Sequence, residues 1–312
     1  MLQGGGDKGS YQVGALAEML ELIPDEIHYD VVSGVSAGAL NAGGFSQFPP
    51  GQEAQAIEFL LEIWRNITAS NVYQERRGGL ISGLLYEPSL FDTSPLKDYL
   101  HQKFSKPIQR KISIGSVNAD LGIFLRFNES LGREDFITAV LASAALPALF
   151  PYIKINGDVF VDGGVLLGLD VDGAVERCRE IVEHDADIIV DVLLCSGASL
   201  PKVDQDGDKT LQMLGRFLEI HFYSNALDHL LHAYEDNPEV YFRYVIMPTK
   251  TLASEPVTIQ FDHEQIESMI QQGRDDARDR ILNGTVGINY LEEKWMKMYG
   301  KPRRKIHKSQ FA

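Results

Sequence analysis

Residues 30–41 read DVVSGVSAGALN, a short apolar run followed by one hydroxyl between two glycines and then by small helix-forming residues. Such a junction has two explanations. Small residues allow a helix to pack closely on a sheet, and a sharp strand-to-helix turn of the form G-x-S-x-G exposes a nucleophilic serine at its tip. The motif is too short to decide between them by itself. The remaining sequence has to supply partners for Ser36.

Composition limits the classes of function. The chain has 312 residues, of which 44% are hydrophobic, enough for a sizeable core in one large domain or two small ones. The net charge of −15 argues against nucleic acid as a partner, because binding phosphates needs a basic face. Two cysteines, Cys178 and Cys195, cannot build a disulfide framework and therefore predict a reducing, cytoplasmic compartment. No apolar run approaches the roughly 18 residues of a membrane span.

Strand-like and helical patterns alternate along the chain. Residues 9–22 have the spacing of an amphipathic helix, and residues 187–195 form the continuous apolar run of a strand buried on both faces. Further helices are predicted over 52–66, 134–145 and 210–235 and from Asp262, and further strands over 30–33, 111–117, 121–127, 158–165 and 240–247. This alternation predicts an α/β fold with a mostly parallel sheet.

A second glycine motif, GGGDKG at residues 4–9, also lies between a strand and a helix. It satisfies G-x-G-x-x-G, the dinucleotide fingerprint, but Asp30 precedes its strand and is expected at the sheet edge opposite to a bound ribose. The alternative is that its backbone N–H groups face a developing oxyanion beside Ser36. Only three residues precede the motif, so either the first strand is very short or the natural chain begins further upstream.

A serine nucleophile needs a base, and Asp162 stands near the end of the 158–165 strand pattern. A free aspartate has a pKa near 3.9 and accepts a serine proton poorly, whereas burial raises that pKa. A Ser–Asp–His triad is the alternative, since α/β-hydrolases place the three residues in that chain order. None of the histidines after Asp162 lies in a strand-end glycine turn: His184, His221, His229, His232, His263 and His307.

Four ordered motifs resemble those of patatin-like phospholipases: GGGDKGSYQVGAL (4–16), GVSAGALN (34–41), AVLASAALPALFP (139–151) and VFVDGGV (159–165). FDHEQIESMIQQGRDDA (261–277) also resembles the closing helix of that family. The resemblance implies a three-layer α/β sandwich with a central, mostly parallel sheet. It also implies a Ser–Asp dyad without histidine, which cleaves ester bonds of phospholipids or other lipids through an acyl-serine intermediate and needs no cofactor.

Carried over residue by residue, the resemblance implies that Ser36 is the nucleophile and Asp162 the base. The oxyanion hole then consists of Gly4, Gly5 and Gly6. Substrate contacts are expected from Lys8, Ala37 and Pro147.

One departure from the family pattern follows the DGG turn. The family usually has an Asn-Pro element there, whereas this chain reads VLLGLDVDG (165–173), so Asp170 or Asp172 could enter the site. The alternative function is therefore a catalytically inactive member that binds lipid or a partner. No metal site is predicted, because DQDGD (204–208) lacks the last acid of a calcium loop.

Domain bounds and the route to lipid are also expectations from sequence. Residues 1–285 are predicted to form the acyl hydrolase domain, followed by a helix and basic tail at 286–312. Residues 294–312 contain seven Lys or Arg and no acidic residue. This tail and a lid formed by the apolar residues of the glycine-rich segment 72–91 are predicted to bring the protein, as a peripheral enzyme, to lipid at a membrane surface.

Overall fold

The computed structural model describes residues 1–76, 87–197, 200, 202–204, 206, 210–252, 261–284, 293, 296–297 and 300. Residues 77–86 of the predicted lid, and almost all of the predicted C-terminal helix and basic tail, lie outside these described residues.

The described secondary structure follows the predicted alternation. The strands are β1 (Val31–Val35), β2 (Gln74–Glu75), β3 (Phe91–Asp92), β4 (Lys111–Asn118), β5 (Ile123–Phe127), β6 (Ile153–Ile155), β7 (Asp158–Asp162), β8 (Ile189–Leu193) and β9 (Tyr241–Ile246). The helices are α1 (Gly9–Leu22), α2 (Ala37–Phe45), α3 (Glu53–Asn66), α4 (Ala69–Val72), α5 (Ser94–Lys103), α6 (Arg133–Ser143), α7 (Val171–Cys178), α8 (Thr210–Asp236) and α9 (His263–Asn283).

The centre of the sheet is parallel. β1 pairs with β4, and β8 pairs with β9, in parallel register. Leu2 joins the two pairs as a one-residue strand, because it forms parallel bridges to Gly34 of β1 and to Leu193 of β8. β5 and β7 pair with β4 in antiparallel register, and β6 extends the sheet beyond β7.

Helices cover both faces of the sheet, each over its own apolar core. Helices α1, α2, α3, α6 and α9 pack around the larger core, whose fully buried members include Tyr11, Phe45 and Phe136. Helix α7 packs against β1 and β4, and with α8, β8 and β9 it forms a second core that includes Val175, Leu230 and Phe242. The predicted three-layer α/β sandwich is confirmed.

Two local patterns differ from the sequence-based expectation. The predicted strand 158–165 ends at Asp162, and Gly163–Val165 form a turn of 3₁₀ helix. Within the described ends of the predicted lid, side chains expected to be exposed are packed: Leu90 is buried, and the rings of Tyr73 and Phe91 lie 4.6 Å apart. In the described part of the chain, none of the helices is both long and apolar enough to cross a membrane.

Candidate active site

Ser36 occupies the tip of a sharp turn between β1 and α2. Its backbone has φ 55° and ψ −122°, a conformation that is strained for a residue with a side chain. The flanking glycines permit the turn, because a Cβ at Gly34 or Gly38 would lie 2.1 Å from a backbone oxygen. The backbone therefore makes a sharp strand-to-helix turn, with the serine hydroxyl at its tip.

Ser143, at the end of α6, holds this turn in place. Its Oγ accepts a hydrogen bond from the Ser36 N–H at 2.9 Å and donates one to the Gly115 carbonyl at 2.5 Å. Ser143 is fully buried, so its bond to the Gly115 carbonyl is shielded from water. No local pattern in the sequence identifies Ser143, because both of its partners are backbone groups distant along the chain.

Sheet register brings Asp162 to Ser36. Val35 of β1 lies opposite Gly115 of β4, and Asp162 of β7 lies opposite the next residue, Ser116. Because β5 occupies the other side of β4 at these positions, β1 and β7 lie end to end along the same side of β4. The Ser36 hydroxyl donates to Asp162 Oδ2 at 2.7 Å, and the Gly164 N–H donates to Asp162 Oδ1 at 2.7 Å. Both carboxylate oxygens thus have a donor, although the residue is only 1% exposed.

Burial changes the proton affinity of this carboxyl group. It raises the pKa of Asp162 to about 7, while the hydrogen bonds from Ser36 and Gly164 favour the ionised form and limit the rise. A carboxyl group with this pKa is a far better proton acceptor near neutral pH than a solvated aspartate.

The glycine loop Gly4–Gly6 lies directly beside Ser36, where the sequence analysis predicted an oxyanion-binding loop to be. A Cβ at Gly4 would come within 3.0 Å of Ser36 Cβ. The Gly4 N–H already donates to the Gly168 carbonyl at 3.0 Å, so the donors available to a ligand reduce to Gly5 and Gly6. Gly6 has a φ of 62° and begins the 3₁₀ turn Gly6–Lys8, whose first N–H groups lack partners within the helix.

A cavity of about 170 Å³ opens over the hydroxyl. Its polar end contains the glycine loop, Ser36 and Asp162, together with Lys8 and Ala37 from the predicted substrate contacts. Pro147 is exposed and does not line the cavity, although its neighbours Leu146 and Leu149 do. The remainder of the wall is mainly apolar and includes Leu60, Trp64, Ile67, Leu96, Phe104, Phe150, Leu218, Phe222 and Phe261.

The departure after the DGG turn leaves the cavity unobstructed. Asp170 is buried away from it, where Arg126 donates to both carboxylate oxygens at 2.8 Å. Asp170 Oδ1 also accepts from the Gly173 N–H at 3.0 Å and so caps α7. Asp172 is exposed on α7. Neither carboxylate lines the cavity, so this expectation was wrong. The ion pair with Arg126 explains why an aspartate can occupy a buried position there.

Among the described residues, no histidine hydrogen-bonds to Asp162. The partners of the Asp162 carboxylate are Ser36 and Gly164. His221 comes near the DGG turn, but its Nε2 is 3.0 Å from the Val165 carbonyl. Burial lowers the pKa of His229, which lies further along α8. Within the described ranges, no three His, Cys, Asp or Glu side chains are grouped as metal ligands would be.

The chain is similar in sequence to known proteins. The chain is 24% identical over 249 residues to a cGAMP-activated phospholipase from Pseudomonas aeruginosa. The alignment covers 74% of this chain and 73% of that protein. It also aligns with the crystal structure of VipD from Legionella pneumophila over 95% of this chain and 70% of that one, at 15% identity and a TM-score of 0.37. The family model for patatin-like phospholipases matches residues 1–175, which is more than half of the sequence, and the chain therefore belongs to the patatin-like phospholipase family.

Proposed function

We propose that this protein is a lipid acyl hydrolase in which Ser36 and Asp162 form a catalytic dyad. The single observation that carries the proposal is a 2.7 Å hydrogen bond. Ser36 Oγ, at the tip of a strained turn, donates it to the buried carboxylate of Asp162. Family membership supports lipid hydrolysis as the class of reaction. The apolar wall of the cavity suits an acyl chain, whereas the polar end suits the ester group.

In the acylation step, Ser36 Oγ attacks the carbonyl carbon of the ester while its proton passes to Asp162 Oδ2. The carbonyl oxygen becomes an oxyanion, which the N–H groups of Gly5 and Gly6 are positioned to stabilise. When the tetrahedral intermediate collapses, the bond to the alcohol oxygen breaks. The departing alcohol takes the proton from Asp162 and leaves an acyl-Ser36 ester.

Water completes the cycle by the same groups. Asp162 accepts a proton from water as the water oxygen attacks the acyl carbon. When the second tetrahedral intermediate collapses, the bond between the acyl carbon and Ser36 Oγ breaks, Asp162 returns the proton to Oγ, and the fatty acid leaves. One water is consumed, and one ester becomes an acid and an alcohol.

The test is covalent labelling with an alkyl fluorophosphonate, which phosphonylates an activated serine and releases fluoride. We expect the wild-type protein to be labelled at Ser36, as located by peptide mass spectrometry, and Ser36→Ala to lose the label. Ser33→Ala is the matched control, because Ser33 lies on β1 but is buried outside the cavity. Absence of labelling in a folded wild-type protein would favour the inactive, lipid-binding member of the family.

The pH dependence of hydrolysis should report Asp162. The raised pKa means that at pH 5 the carboxyl group is mostly protonated and cannot accept the serine proton. Since pKa is about 7, kcat/KM should rise about tenfold per pH unit below it and reach a plateau above about pH 8. Initial rates on a soluble short-chain ester between pH 5 and 9 measure this profile, and a plateau already reached at pH 5 would contradict a base of this pKa.

A further inference from the structure

We propose that Gln3 is a positioning residue, which fixes the glycine loop Gly4–Gly6 so that its N–H groups face the carbonyl oxygen of the substrate. The inference rests on the proposed function for its catalytic consequence, and on the hydrogen bonds around Gln3 for its structural basis. Gln3 immediately precedes the loop and is 0% exposed.

The side-chain amide of Gln3 connects the loop to the segment that follows β8. Its Oε1 accepts hydrogen bonds from the backbone N–H groups of Cys195 at 2.6 Å and Ser196 at 3.0 Å. Its Nε2 donates to Ser196 Oγ at 3.0 Å. A side chain of this length with both an acceptor and a donor is required to make all three bonds, and a buried amide is tolerated only when it is satisfied in this way.

The backbone of Gln3 is held from the other side by a chain of buried side chains. Gln12 Nε2 donates to the Gln3 carbonyl at 2.8 Å and to the Leu193 carbonyl at 3.1 Å. Asn41 Nδ2 donates to Gln12 Oε1 at 3.0 Å, and Trp64 Nε1 donates to Asn41 Oδ1 at 2.7 Å. Helices α1, α2 and α3 therefore all contribute to the position of Gln3.

The loop itself has few means of holding its place, because its three residues carry no side chains. Its described backbone bonds are the one from the Gly4 N–H to the Gly168 carbonyl, a 3.3 Å bond from the Lys8 N–H to the Gly5 carbonyl, and one from the Gly9 N–H to the Gly6 carbonyl. It lies directly against Cys195, since a Cβ at Gly5 would be 2.6 Å from Cys195 Cβ. A shift of the Cys195–Ser196 segment would thus be transmitted to the donors at Gly5 and Gly6.

The decisive variant is Gln3→Met, which keeps the side-chain length but makes none of the three amide bonds. Tyr29→Phe is the matched control, because it removes a partly buried hydrogen bond to Asp191 (2.7 Å), which lies on β8 two residues before the strand ends. Loss of an oxyanion donor typically lowers kcat by about a hundredfold. We expect a decrease of about that size, with KM little changed, in Gln3→Met and not in Tyr29→Phe. Gln3→Glu retains the acceptor oxygen and should recover part of the loss.

Amide hydrogen exchange followed by mass spectrometry gives a readout that does not need turnover. Exchange in the peptide that contains Gly4–Gly9 should accelerate at least tenfold in Gln3→Met and stay unchanged in Tyr29→Phe. In the wild-type protein, the amides of Cys195 and Ser196 should be strongly protected from exchange. This measurement is informative even if a variant fails to fold.

Three outcomes would overturn the assignment of Gln3: unchanged loop exchange in Gln3→Met, equal losses of kcat in Gln3→Met and Tyr29→Phe, or unprotected amides at Cys195 and Ser196. Failure of the proposed function would look different, since the wild-type protein would then neither hydrolyse esters nor react with the fluorophosphonate. The exchange measurement would still decide whether Gln3 fixes the loop.

Discussion

Asp162→Asn is expected to lower kcat by at least a thousandfold while the protein stays folded. The substituted amide has one oxygen, and the Gly164 N–H, 2.7 Å from Asp162 Oδ1, competes for it with the hydroxyl of Ser36. The group facing Ser36 is then an amide, which is not basic enough to take the serine proton. Loss of a general base costs about 10² to 10⁴ in rate, and here no second base is proposed to compensate. Steady-state hydrolysis of a short-chain ester above pH 8 measures the effect.

The same variant should not reduce the melting temperature above pH 8. The pKa of Asp162 is about 7 when folded, against a reference value of 3.8, so between these values the folded state binds more protons than the unfolded state. Stability therefore falls as pH rises through this window, and ionisation of the buried carboxyl group is a cost that the neutral amide avoids. A large drop in melting temperature with proportionate loss of activity would indicate a structural role instead.

Two control variants make the result specific. Asp158→Asn changes an exposed carboxylate at the other end of β7, where its partner is Asn118, and should retain activity. His221→Ala removes the histidine that comes near the DGG turn, whose bond is to the Val165 carbonyl. If His221→Ala proved as damaging as Asp162→Asn, a triad would replace the dyad.

The local parts of the site could be predicted from sequence because short-range sterics determine them. A serine between Gly34 and Gly38 after an apolar run identifies a turn that larger residues would obstruct. The glycine loop and the DGG turn are recognised in the same way. Helix ends could also be predicted from sequence. Asp262 caps α9, because its side chain accepts a hydrogen bond from the Gln265 N–H at 3.0 Å.

Register and buried polar networks could not be predicted in the same way. The chain folds back after β4, so β7 is antiparallel to it, and only this pairing places Asp162 beside the carboxyl end of β1. From sequence, Asp170 could enter the site, because nothing there identifies Arg126, 44 positions away, as its partner. Gln3 and Ser143 act through bonds to distant backbone groups, which leave no local pattern.

Gly5→Ala should lower kcat by a hundredfold or more, because the glycine loop has no room for a side chain. The added Cβ would lie 2.6 Å from Cys195 Cβ and 2.9 Å from its Sγ, so the loop or Cys195 has to move. The contact with Cys195 predicts a lower melting temperature as well. The donors at Gly5 and Gly6 move with the loop, and one lost donor costs about 3 kcal/mol of transition-state stabilisation.

A second substitution separates displacement of the loop from general damage. In Gly5→Ala/Cys195→Gly the two clashing atoms are gone, and the φ of Gly5, 175°, lies in the extended region that any residue adopts. The double variant should therefore recover most of the kcat of Cys195→Gly alone, whereas Gly132→Ala, with no atom within 4 Å of the new Cβ, should behave as wild type. Ester hydrolysis and thermal unfolding of the four proteins provide the comparison.

If Gly5→Ala is fully active, the oxyanion hole lies elsewhere. If the double variant is as inactive as the single one, the loss does not arise from contact with Cys195, and the loop is displaced for another reason.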